Sequence, residues 1–187
     1  MQTDFPQDRQ AWQLKHSQLA QELAAQRDAL ALSLQDGLRD ERWQALDTQW
    51  MFHLLCAQGT RALPTCANRL LDTFDPGSPD EYDQHLAEAI RKAGVEAGSA
   101  DIEAFGALCA EGFTANLEKR YADMLPMLNK LIELCRALPA ERQAIAHRTR
   151  GLRYFWQEDY ARALPDFDLA VILNPNHADY YFHRGRC

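Results

Sequence analysis

The apolar positions of this chain recur at helical spacing along its length. Trp12, Leu19, Leu23, Leu30 and Leu34 are separated by 7, 4, 7 and 4 residues. That spacing sets them on one stripe of a helix over about Gln7 to Gln35, with His16 on the same stripe and Gly37 as the stop. Trp43, Leu46, Trp50, Leu54 and Leu55 predict a second helix over about Asp40 to Gln58. A short helix after Pro64 turns Leu70, Leu71 and Phe74 inward, and Asp75-Pro76-Gly77 reads as a turn. Ser78 as N-cap, Pro79 as first helical residue and Glu81 beyond them open a helix to about Ala93 that buries Tyr82, Leu86 and Ile90. Gly94 to Ser99 is small and loose, the best internal break. Ser99 can cap a helix in which Ile102, Phe105, Cys109 and Phe113 share a face. No convincing period-two strand occurs and β-branched residues are few, so the expected class is all-α.

The stretch from about Ala144 to Cys187 carries a more specific pattern. Gly151, Tyr154, Ala163, Phe167, Ala170 and Pro175 follow at spacings of 3, 9, 4, 3 and 5. Gly151 and Ala163 are small where two antiparallel helices would approach, Tyr154, Phe167 and Ala170 are sized to fill the space between them, and Pro175 stops the second helix. The order starts again at a distance of 34 residues, Tyr181 after His147 and Arg184-Gly185 after Arg150-Gly151. These residues resemble the tetratricopeptide repeat, a helical hairpin of about 34 residues. A weaker echo lies at an offset of 39, where Ala107, Gly112, Tyr121, Ala122, Leu125, Pro126 and Leu134 match Ala146, Gly151, Tyr160, Ala161, Leu164, Pro165 and Leu173.

The resemblance implies antiparallel hairpins stacked as a right-handed array at the C-terminal end. Two regions are expected: an N-terminal helical region over 1–98, either a bundle or degenerate hairpins, and a repeat region over 99–187. Within the second, 105–138 is a divergent repeat, 144–177 the clear one, and 178–187 a partial repeat or capping helix. His147 and Arg150 depart from the family's usual aromatic and leucine, and Pro165 inside the second helix predicts a bend.

Chemistry adds little that is specific. Apolar residues are 47% of the chain and the net charge is −7, which argues against sequence-independent nucleic-acid binding. Cys56, Cys66, Cys109, Cys135 and Cys187 are odd in number and widely spaced, so no disulfide framework is expected, and Cys56, Cys109 and Cys135 read as small core residues. The polar start from Met1 to Gln10 is not an ordinary signal peptide, and no stretch approaches the roughly 18 apolar residues of a membrane span, so a cytoplasmic protein without membrane contact is expected. His53 and Cys56 are three apart without a second ligand pair, and His147, His177 and His183 lack a carboxylate pattern. Asp80, Glu81 and Asp83 suit a helix N-terminus. No cofactor, metal or catalytic residue is expected.

In such arrays the first helix of each pair lines a groove. The resemblance therefore makes Arg148, Leu152, Phe155, Trp156, Phe182 and Arg186 the partner-binding candidates, with Asp179 beside them and Phe113, Asn116 and Leu117 continuing the wall. The family variant that grips a C-terminal carboxylate uses paired Lys and Asn; Arg148 and Leu152 stand there instead, so that specificity is not implied. The expected function is a chaperone-like or adaptor module that binds a protein or peptide partner with bulky side chains. Self-association through the Trp12–Leu34 stripe or the last helix is the alternative, and an α-helical enzyme centred near His53 or His85 is a third.

Overall fold

A computed structural model describes residues 6–74 and 80–187, and every regular element among them is helical. The expected turn at Asp75-Pro76-Gly77 and the Ser78–Pro79 helix start lie outside the described residues. The chain divides into two compact units, Met1–Leu63 with Pro76–Ala107, and Pro64–Asp75 with Leu108–Cys187. This differs from the expected break at 98/99. Residues 64–75 group with the later helices, and 99–107 with the earlier ones.

In unit one, α1 (Pro6–Asp28) packs along α3 (Glu41–Gln58), and α3 packs on α5 (Asp80–Ala97). The apolar stripe of α1 is spent on this contact: Ala20 and Leu23 are buried. The first helix is shorter than its stripe predicted. It ends at Asp28, Ala31 takes a positive φ of 54°, and Ser33 opens α2 (Leu34–Gly37) by accepting from the Asp36 N–H at 3.2 Å. Leu34 is left exposed, and Gly37 is a close-packing residue, since a Cβ there would sit 2.7 Å from the Trp43 indole.

Gly94 and Gly106 serve close approach in the same way. Gly94 lies inside α5, where a Cβ would come within 2.2 Å of the Glu103 backbone nitrogen on α6 (Ala100–Leu117), and one on Gly106 within 2.3 Å of the Arg91 nitrogen. The expected loose segment is thus mostly helix. The turn is confined to Gly98, at a φ of 62° that glycine adopts without strain, and Ser99.

Unit two contains most of α4 (Leu63–Asp72), the end of α6, α7 (Leu125–Cys135), α8 (Ala140–Trp156), α9 (Tyr160–Leu173) and α10 (Ala178–Arg186). Cys109, Phe113, Met127, Leu131, Ala144, Phe167, Ala170 and Tyr180 are buried in it. The turns after α6 and α8 have the same bonding 39 residues apart. Arg120 N–H donates to Ala115 C=O at 2.8 Å and Lys119 N–H to Asn116 at 3.1 Å; Asp159 N–H donates to Tyr154 at 3.0 Å and Glu158 N–H to Phe155 at 3.0 Å. Lys119 and Glu158 both hold positive φ, at 57° and 59°. The glycines match too: Gly112 faces the Met127 side chain and Gly151 faces Asp166 and Phe167. Asp166 is buried on the α8 side of α9, where Arg150 Nη2 bonds it at 2.7 Å and His147 Nδ1 at 2.9 Å. Burial alone would raise this carboxyl, but the two hydrogen bonds outweigh it and hold it below the usual range.

Candidate functional site

The candidate residues lie on α8 and α10, and the structure sorts them into three groups. Leu152 is 7% exposed and packs with Ala163 and Phe167, so it is core and not groove wall. Its expected exposure failed because the α8–α9 packing reaches round to this side. Phe113 is likewise buried, against Phe74 at 5.7 Å between ring centroids, while Asn116 is half-buried and Leu117 exposed.

Arg148 is closed on a partner within the chain. Its Nη2 lies 2.8 Å and its Nε 3.0 Å from Asp179 Oδ2, and Asp179 Oδ1 accepts from His183 Nε2 at 3.2 Å. Arg148, expected among the partner-binding residues, is thus already engaged by Asp179. His183 stacks on Phe167 at 5.6 Å, and burial holds its imidazole below the usual value despite Asp179, with Arg148 and Arg186 acting in the same direction as burial.

Phe155, Phe182 and Arg186 form an open patch. The Arg186 guanidinium sits 4.9 Å from the Phe155 ring and 5.4 Å from the Phe182 ring, and Phe182 is 58% exposed. A guanidinium held by the π faces of two rings can still donate from its N–H groups to a further acceptor.

Trp156, 47% exposed, belongs to a separate cluster at the end of α8. It lies 5.1 Å from Tyr121 and 4.5 Å from the guanidinium of Arg153. Arg153 was not anticipated. On the helix wheel it continues the stripe of Ala146 and Thr149, both buried, and a charge on a buried stripe was the available signal.

Three further histidines have partners within the chain. His147 bonds Asp166, His177 stacks on Tyr180 at 4.3 Å, and His53 meets His16 at 2.8 Å between Nδ1 atoms. His53 and His85 line an open hollow of about 280 Å³ with Phe52, Glu88 and Lys92. Burial holds His16 and His53 below the usual imidazole value and pushes the Cys56 thiol up to about 12. No group of three metal-capable side chains occurs among the described residues, and no described helix is long and apolar enough to cross a membrane.

Fold and site together define an all-helical protein whose second unit carries an aromatic and arginine-rich face. No family model matches the chain, and comparison with curated proteins and with solved structures gives no match either.

Proposed function

We propose that unit two is a tetratricopeptide-like repeat module that binds a segment of another protein on the face formed by α8 and α10. The observation that carries this reading is the patch itself: the exposed Phe182 and the half-buried Phe155 with Arg186 against both rings. Aromatic rings and arginine are the side chains enriched among the residues that dominate binding energy at protein interfaces, the rings because they bury much area for few torsions and arginine because its planar fork makes several hydrogen bonds at once. The matched turns at residues 119 and 158, and the matched glycines at 112 and 151, support a duplicated hairpin as the scaffold. No reaction is assigned.

A partner segment would lay bulky apolar side chains on Phe155 and Phe182 and an acceptor on the edge of Arg186. The test compares proteins captured from cell extract by the tagged chain and by a Phe182→Ala/Arg186→Glu variant. Both side chains are exposed, so the variant should keep the helical circular-dichroism signal and melting temperature. A protein held by the wild type and lost by the folded variant is the expected result. The same proteins on both would remove this face from the function.

Self-association at α10 is a second reading, favoured by Gly185. A Cβ there meets nothing within 4 Å, while Tyr181 and Phe182 beside it are 42% and 58% exposed. It predicts a dimer mass by sedimentation that Gly185→Arg returns to monomer; a monomeric wild type excludes it.

A further inference from the structure

Arg153 is 5% exposed, with its guanidinium carbon 4.5 Å from the Trp156 ring, 5.7 Å from Phe74 and 5.9 Å from Tyr121. The rings surround the cation without neutralising its charge. Its one hydrogen bond among the described residues is from Nε to the Met124 sulfur, at 3.2 Å. Both terminal nitrogens lack a bond to the described residues, and neither is among the sealed, unbonded atoms such as Thr149 Oγ1 and His183 Nδ1. Burial lowers the Arg153 pKa to about 10; only the Tyr121 phenol works the other way, and Arg148 adds repulsion. A buried guanidinium without a counter-ion is costly, and proteins seldom keep one without a use for it.

Unit one contains the completed version of this arrangement. The Arg27 guanidinium lies 5.7 Å from the Trp43 ring and 4.9 Å from Trp50, also in an aromatic setting. There the N–H edge is closed by the buried carboxylate of Asp47, which accepts a further bond from the Tyr82 hydroxyl at 2.7 Å. Arg153 has the rings, and a phenol in Tyr121, but no acid among the described residues.

The geometry points to Arg153 as the receptor for a carboxylate supplied by a bound partner, with Trp156 packing the apolar group that carries it. A single planar guanidinium offers two parallel N–H bonds, which match a planar carboxylate. A phosphate dianion is best held by more than one cation, and Arg153 is the one cation of the described residues set among these rings. The inference rests on the partner-binding reading only for where the carboxylate comes from; binding of a small carboxylate stands apart from it.

The test follows the Arg153 Nε–H and Trp156 indole N–H by NMR in the full chain at fixed ionic strength. Three probes are titrated: N-acetyl-aspartyl-phenylalanine amide, its asparaginyl counterpart, and N-acetylphenylalanine. The first and third carry the carboxylate on a side chain and at a chain end, so the tighter of the two identifies the source. Saturable shifts of both protons are expected with a carboxylate probe. Binding should be about ten-fold or more weaker with the asparaginyl probe, since one charge-assisted pair is lost. Arg153→Met should lose the response while melting at or above the wild-type temperature. Should that variant fail to fold, Arg153→Lys keeps the charge without the planar fork and should weaken binding several-fold. Equal response to the asparaginyl probe, a response retained in Arg153→Met or unweakened in Arg153→Lys, or no saturable shift would overturn the assignment. So would tighter binding of inorganic phosphate. Failure here with successful capture of a partner would leave the binding face standing without Arg153; the reverse would leave an anion site without a protein partner.

Discussion

Each unit sets an arginine among aromatic rings, and the two differ in whether a carboxylate of the described residues reaches it. Arg27 in unit one has its carboxylate, Asp47, which a tyrosine also bonds. Arg153 in unit two has three rings and no carboxylate among the described residues. A completed charge cluster holds helices together; an incomplete one, on an element that also exposes Trp156, is poised to be completed by something else. The same contrast holds for the faces around them: α1 spends its apolar stripe on α3, whereas α10 leaves Tyr181 and Phe182 in solvent.

The largest expected effect comes from breaking the completed cluster. Asp47→Ala strands Arg27 and should cost about 3–5 kcal/mol by urea unfolding, whereas Arg153→Met should cost about zero or stabilise. Equal losses in the two variants would erase the distinction between the units. Next come the glycines. Gly94→Ala puts a methyl group against the Glu103 backbone and should cost about 1–3 kcal/mol. Gly185→Ala meets open space on α10 and should stabilise slightly, by about 0.5–1 kcal/mol. A destabilised Gly185→Ala would mean that this face is already packed.

The smallest effect is that of pH. His16, His53 and His183 are all held below the usual imidazole value of 6.5, chiefly by burial. For His16 the Glu96 charge acts against burial and Lys15 with it, and for His53 the neighbouring His16 adds to it. Below pH 6.5 the unfolded chain therefore binds more protons than the folded one, and stability falls as pH falls toward the folded-state values. Two imidazoles meeting at 2.8 Å cannot both be charged without repulsion. On acidification from pH 7.5 to 5.5, amide protection in α1, corrected for the intrinsic exchange rate, should fall before that in α9, where the low Asp166 carboxyl keeps its ion pairs to lower pH. The opposite order would contradict the pairing described for unit one.

Fold class was legible because helical spacing and helix-forming residues agree along the chain. The end of α9 was legible too, since Pro175 follows it. The break after Asp28 was not, because Leu30 and Leu34 continue the apolar stripe through it while Ser33 starts a new helix. Gly94 misled for a related reason: a glycine that loosens a chain and one that lets a backbone approach look alike until the neighbouring helix is present. At the site, Trp156, Phe182 and Arg186 lie on exposed faces. Arg148 could not be read as occupied, because Asp179 stands 31 positions away and reaches it only through the placement of α10.

The most direct test places a photo-crosslinking amino acid at Phe182 in one version of the chain and at Leu14, 62% exposed on α1, in another, both irradiated in living cells. A discrete adduct with another polypeptide at position 182, weakened by Arg186→Glu and missing at position 14, is the predicted result. Adducts only at position 14, or at neither, would contradict a partner-binding face on α8 and α10.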